Sequence, residues 1–151
     1  MQQARIDEQV QQARIDFWQV ITQVEVKDLV FIDEAGVNLA MARLYARALH
    51  GHRAYSHRPQ NRGKNQTIIG ALTLDGIIAA LTFERGTDGL AFQTFVQQVL
   101  APKLWKGAYV VMDNFSSHKV DGIAQAIETV GAKLVYLPSD SPDFNPIEQF
   151  W

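Results

Sequence analysis

The 151-residue chain contains no cysteine. That removes disulfide scaffolds, thiol nucleophiles and cysteine zinc sites, and it fits a reducing compartment. A long hydrophobic run is also missing. The most apolar stretch, residues 68–83, is interrupted by Asp75-Gly76 and is shorter than the ~20 residues that span a bilayer. Residues 1–10 are polar and carry charges of both signs, so they are no secretory signal. A cytoplasmic protein with no membrane partner is expected. Nor does charge of one sign dominate. The net charge is −2, which taken globally argues mildly against a polyanionic partner.

What is present is more informative when resolved by position. Residues 1–34 are net −4, residues 35–74 hold 6 basic groups and no acid, and residues 75–151 are again net −4. The basic block comprises Arg43, Arg47, Arg53, Arg58, Arg62 and Lys64, and it also holds His50, His52 and His57. Such a length suits one domain, burying roughly 70% of the surface of the unfolded chain.

The N-terminus carries a tandem duplication. Gln2-Gln3-Ala4-Arg5-Ile6-Asp7 recurs as Gln11-Gln12-Ala13-Arg14-Ile15-Asp16. On a helix, a nine-residue period turns the second copy roughly 180° from the first, so both cannot bury the same face. Residues 1–26 are therefore expected to be a helical extension, polar apart from an amphipathic piece at 15–26 that packs on the body. The main domain is placed at 27–151.

Within it, residues 29–33 and 109–113 are each an apolar strand closing on an aspartate, Asp33 and Asp113. Residues 36–65 are expected to be mostly irregular, with a short strand around 53–57 and a polar loop at 59–65. A hairpin is predicted for 67–74 and 77–83 about Asp75-Gly76. Phe92, Phe95, Val96, Val99 and Leu100 fall on one helical face, with Thr87 or Asp88 as cap and Pro102 as boundary. A second helix uses Val120, Ile123, Ala124, Ile127 and Val130, and Gly131 stops it. Residues 134–137 form another strand, ended by Pro138. This order predicts an α/β layer arrangement with a mixed sheet flanked by helices.

Three acids are candidates for chemistry. Asp33 and Asp113 end strands, where open α/β sheets bind ligands. Adjacent carboxylates there repel unless a cation lies between them, and Mg²⁺ suits such oxygen ligands. The competing explanation is ordinary turn chemistry. Glu148 follows Asn145-Pro146-Ile147, where Asn145 is an N-cap and Pro146 the first helical residue. A capping box, with Glu148 reaching back to the Asn145 amide, is the simpler role. The alternative is a metal ligand on the first turn of a helix. The His50-x-His52 pair and His57 lack further zinc-site spacing and are read as loop residues. Ser116-Ser117-His118 lacks a nucleophile-elbow motif and is not read as a hydrolase triad.

Taken together, the apolar strand closing on Asp33-Glu34, the strand closing on Asp113-Asn114 with His118 beyond, and Leu137-Pro138 followed by Ser141-Pro142 and Asn145-Pro146-Ile147-Glu148 form a pattern. It resembles the DDE transposases of the insertion-sequence and mariner-like superfamily, over residues 27–151. The 34 residues between Asp113 and Glu148 are a spacing that group uses. The resemblance implies an RNase H-like fold, with Asp33 on the first strand, Asp113 after the fourth and Glu148 on the C-terminal helix. It implies two Mg²⁺ or Mn²⁺ ions held by these three residues. One ion activates water, or later the 3′-hydroxyl, and the other stabilises the leaving oxygen. Phosphodiester hydrolysis at element ends and strand transfer into a second duplex, at TA sites, would follow. Asn114, His118 and Asn145 would be supporting residues, the basic block would contact double-stranded DNA, and the active complex would be a homodimer.

Two features depart from that family. No basic helix-turn-helix region precedes residue 29, so recognition of element ends is expected from an upstream helix-turn-helix polypeptide. The chain also runs only three residues past Glu148, so the C-terminal helix is expected to be incomplete and the copy truncated, with weak activity. The alternative functions are an RNase H-like nuclease without strand transfer and a non-catalytic DNA-binding or dimerisation remnant.

Overall fold

The computed structural model describes residues 2–38, 45–55, 57, 64–84, 88–114, 119 and 121–151; for 2–7 and 38 it describes the backbone alone. Helix α1 (Gln2–Ile21) is followed by β1 (Leu29–Asn38), β2 (Asn65–Thr73) and β3 (Gly76–Phe83). Then come α2 (Gly89–Thr94), β4 (Tyr109–Met112), α3 (Ile123–Thr129) and β5 (Lys133–Tyr136). The strands form one sheet in the order β3-β2-β1-β4-β5. β1, β2 and β3 pair antiparallel, whereas β4 runs parallel to both β1 and β5. This is the mixed sheet flanked by helices that the sequence predicts.

The alternation of apolar residues along each strand divides the core in two. Val30 and Ile32 of β1 and Val110 and Met112 of β4 point to one face, where they join Phe92, Phe95, Val96 and Leu100 and α3's Ile123 and Ile127. Leu29 and Val111 point to the other, against Phe17 and Ile21 of α1 and Leu137. Burying a side chain of this size stabilises the fold by roughly 1.5–3 kcal/mol. The amphipathic part of the N-terminal segment thus packs on the body. Its apolar side is narrow, and Trp18 and Val26 stay more than half exposed.

Several sequence expectations are corrected. β1 does not stop at Asp33 but continues to Asn38, because β2 supplies an antiparallel partner throughout, with Asp33 opposite Gly70. The strand expected at 53–57 is absent: its described residues are irregular and exposed. The hairpin reverses over Leu74-Asp75, with Gly76 (φ +113°) already opening β3 and a bulge between Ala71 and Leu72. The helix containing Phe92 changes to a π-helical turn at Phe95–Leu100. The wider turn carries Leu100 inward and leaves Val99 only partly buried. Asp88 is its cap, accepting from the Ala91 N–H at 2.8 Å; Thr87 lies outside the described residues. α3 begins at Ile123 behind Gly122 (φ +93°), and Ala126 rather than Ala124 faces the core. Val120 lies outside the described residues. Gly131 ends it in the left-handed region, φ +82°.

The C-terminal segment differs most. It forms two 3-10 turns, Pro142–Phe144 and Pro146–Gln149, in place of the start of an α-helix. Pro142 and Pro146 lack N–H groups, and the bonds that form are i to i+3: Glu148 N–H donates to Asn145 O (3.2 Å) and Phe150 N–H to Ile147 O (2.9 Å).

Candidate active site

The register of the parallel pair sets the site. Leu29, Val30 and Phe31 lie beside Tyr109, Val110 and Val111. Extending that register by two residues brings Asp33 and Asp113 level with one another, just beyond the last parallel pairs. Both acids share strand parity with Phe31 and Val111, which place them on the α1 face of the sheet. Asp33 is not at a strand end, as expected, but at the point where β1 leaves β4 and continues beside β2 alone.

The same face receives the C-terminal segment. Leu137 N–H donates to Met112 O at 2.8 Å, fixing the chain after β5 beside the end of β4. From there residues 137–142, with Asp113, Asn114 and Glu148, line a cavity of about 420 Å³. Ile147 is fully buried and anchors the turn that bears Glu148. Asn145, also buried, ties that turn to the sheet. Its Nδ2 donates to Ile32 O (3.2 Å), and its Oδ1 accepts from Ile147 N–H (3.4 Å). Asn145 is thus the N-cap that the sequence predicts. No capping box closes around it, since the Asn145 N–H donates to Pro142 O at 2.9 Å.

The electrostatics register this gathering of acids. Burial holds the Asp33 carboxyl above the usual carboxylate range, and the charges of Glu148 and Asp113 push the same way. The Glu34 backbone N–H and the Trp151 indole oppose them. Trp151 Nε1 donates to Asp33 Oδ2 at 3.1 Å. Asp33 itself stands beside the cavity, not in its lining, and among the described residues no three acidic, histidine or cysteine side chains converge closely enough to enclose a metal ion. The donor set nevertheless suits a hard divalent cation: it is all carboxylate oxygen, carries like charge, and costs energy when ionised together.

The other predicted residues divide. Asn114 lines the cavity. Arg47, Arg53 and Lys64 are exposed, and Lys64 pairs with Glu84 at 2.8 Å. His50, His52 and His57 are exposed loop residues. Arg43, Arg58, Arg62, Ser116, Ser117 and His118 lie outside the described residues. Three residues that the sequence does not single out also bear on the site. Asp140 lines the cavity in a left-handed conformation, φ +53°. Trp151 bonds Asp33. Arg14, in the second copy of the duplication, donates to Ser141 Oγ (2.8 Å) and to Asp143 Oδ1 (3.1 Å) and Oδ2 (2.6 Å). Its guanidinium lies 4.1 Å from the centre of the Phe144 ring. α1 is therefore clamped to the loop that forms one wall of the cavity. Only the loop position of Asp140, between β5 and Glu148, could have marked any of the three in sequence.

A mixed sheet with antiparallel β1–β3 and parallel β1, β4 and β5, bearing acids at the ends of the parallel pair and a third on the C-terminal segment, is an RNase H-like arrangement. Within that class, residues 28–151 match the family of DDE superfamily endonucleases, and the chain belongs to it. No curated protein matches it significantly by sequence. Solved structures do match by fold. The mariner Mos1 paired-end complex with Mg gives a TM-score of 0.69 at 18% identity, over 92% of this chain and 45% of that one. The Mos1 strand transfer complex gives 0.65 at 18%, over 91% and 43%. The catalytic domain of Mos1 mariner transposase gives 0.59 at 14%, over 94% and 65%. The chain thus spans less than half the length of the transposases in those complexes.

Proposed function

We propose that this chain is a transposase catalytic domain that hydrolyses DNA phosphodiester bonds and transfers strands, with Asp33, Asp113 and Glu148 holding two Mg²⁺ or Mn²⁺ ions. The observation that carries the reading is geometric: the β1–β4 register sets Asp33 level with Asp113, and buried Asn145 and Ile147 hold the turn bearing Glu148 against the same edge of the sheet. Burial raises the Asp33 carboxyl and the charges of Glu148 and Asp113 add to it, a cost that bound cations offset. When bound, the ions supply activation of the attacking water or 3′-hydroxyl and stabilisation of the leaving oxygen.

The protein's own residues do the rest. Asp113 and Glu148 open onto the cavity, where a phosphate enters between the end of β4 and the 137–142 loop. Asn145 fixes Glu148 relative to β1. Asn114 lines the approach, and His118 is assigned a supporting role from the family resemblance alone. Arg43, Arg47, Arg53, Arg58, Arg62 and Lys64 neutralise backbone phosphates of double-stranded DNA, positioning it without reading its bases. The DNA is the element ends and a target, with TA the expected site. A homodimer and an upstream helix-turn-helix polypeptide complete the active complex. That Mos1 structures include transposon-end and strand-transfer complexes supports this choice of substrate.

Cleavage of a plasmid carrying the element ends, in millimolar Mn²⁺, tests the reading. Nicking should depend on the metal and fall at least ~100-fold in Asp113→Ala, the scale of losing a major electrostatic contributor to catalysis. Metal-independent nicking, or nicking retained in Asp113→Ala, contradicts it. Pre-cleaved ends joined to a second duplex separate a transposase from a plain nuclease.

A further inference from the structure

The Trp151 indole reaches across the sheet. Its Nε1 bonds Asp33 on β1, and its ring lies over Gly70, the β2 residue paired with Asp33. The fit needs the missing side chain. A Cβ on Gly70 would stand 2.8 Å and 3.1 Å from two atoms of that ring and 3.6 Å from Ile147 Cδ1. Backbone geometry does not demand glycine here, because Gly70 is ordinary strand and has no positive φ. The glycine therefore serves as a seat for the indole. Ile147, buried four residues earlier, brings Trp151 to that seat together with Glu148.

We infer that Trp151 is a positioning residue for Asp33: it holds Oδ2 with its N–H and so presents the other carboxylate oxygen to a metal ion. This deepens the metal-site reading above and rests on it. A freely rotating carboxylate loses rotamer entropy on binding an ion, and one already held by a donor loses less. Outer partners that orient a ligating group are typically worth 10–100-fold in metal affinity. Glu148 and Trp151, on one short segment, then act on the same centre in different ways, one as ligand and one as clamp.

Two measurements test the inference, on wild type, Trp151→Phe and Gly70→Ala. Phenylalanine keeps a ring over Gly70 and removes only the donor; alanine at Gly70 displaces the indole and leaves Trp151 intact. In the metal-free protein, the Trp151 indole ¹⁵N–¹H resonance should move upfield in Asp33→Ala and in Gly70→Ala, and stay in place in Asp113→Ala. By titration calorimetry, Mn²⁺ affinity should fall about 10-fold or more in both Trp151→Phe and Gly70→Ala. Melting temperatures near wild type establish that the variants fold. Wild-type Mn²⁺ affinity in a folded Trp151→Phe overturns this inference alone, as does an indole resonance indifferent to Asp33→Ala. Absence of Mn²⁺ binding in wild type overturns the metal-site reading, and this inference with it.

Discussion

Single residues carry charges whose effects on stability have opposite signs. Burial, together with Glu148 and Asp113, raises the Asp33 carboxyl. A group whose folded-state pKa lies above its unfolded value favours the fold when protonated, and that contribution is lost as pH rises through the folded pKa. Ionised Asp33 thus costs stability at neutral pH. Asp33→Asn should raise the melting temperature of the metal-free protein at pH 7, with the gain fading as pH falls toward about 4, the ordinary carboxylate range. A melting temperature unchanged or lowered at pH 7 contradicts this. Asp143 is the reverse case. The Arg14 guanidinium holds its carboxyl below the usual range, so that contribution is present above the unfolded pKa and lost as pH falls through the folded one. Asn145 is the uncharged counterpart. Asn145→Ala removes a cap and leaves the Ile32 carbonyl without its side-chain donor, and urea denaturation should show a loss of about 1–3 kcal/mol.

At the scale of elements, α1 is structural. Phe17 is buried and stacks on Phe144 at 5.5 Å, so α1 supports the loop that walls the cavity. Phe17→Ala should cost about 3–5 kcal/mol in chemical denaturation, and a loss below about 1 kcal/mol would show that α1 is only loosely held. The elements legible in sequence are those whose own residues decide them. Strands β4 and β5 are dense apolar runs, the β2–β3 hairpin is marked by Asp75-Gly76 although it reverses one residue earlier, over Leu74-Asp75, and Asp88 and Gly131 bound helices as their chemistry dictates. The rest depends on partners. Residues 34–38 contain little to favour a strand, yet they extend β1 because β2 lies alongside. The π-helical turn after Thr94 has no signature in the spacing of Phe92, Phe95 and Val96, which suits a regular helix equally well. The 3-10 form of the C-terminal turns likewise has no signature in sequence, since Pro146 behind the Asn145 cap suits the start of an α-helix equally well.

For the molecule as a whole, the three candidate acids stand out in the sequence because each follows a recognisable pattern: an apolar strand, or a capped turn. Their supports do not. Trp151 lies 118 residues from Asp33, and Arg14 lies 129 from Asp143, so only the folded chain brings them together. The uneven charge has a consequence of the same scale. If the block from Arg43 to Lys64 contacts phosphates, Arg53→Ala should weaken DNA binding evenly across sequences and lower the salt-dependence slope by about 1, measured by fluorescence anisotropy at several salt concentrations. An unchanged slope removes Arg53 from the interface. The central claim is that Asp33, Asp113 and Glu148 form one metal site. Its most direct test is the melting temperature with and without millimolar Mn²⁺, since an ion that binds only the native state stabilises it by mass action. A rise is expected in wild type and is lost in each of Asp33→Asn, Asp113→Asn and Glu148→Gln. No rise in wild type, or a rise that survives all three substitutions, would contradict it.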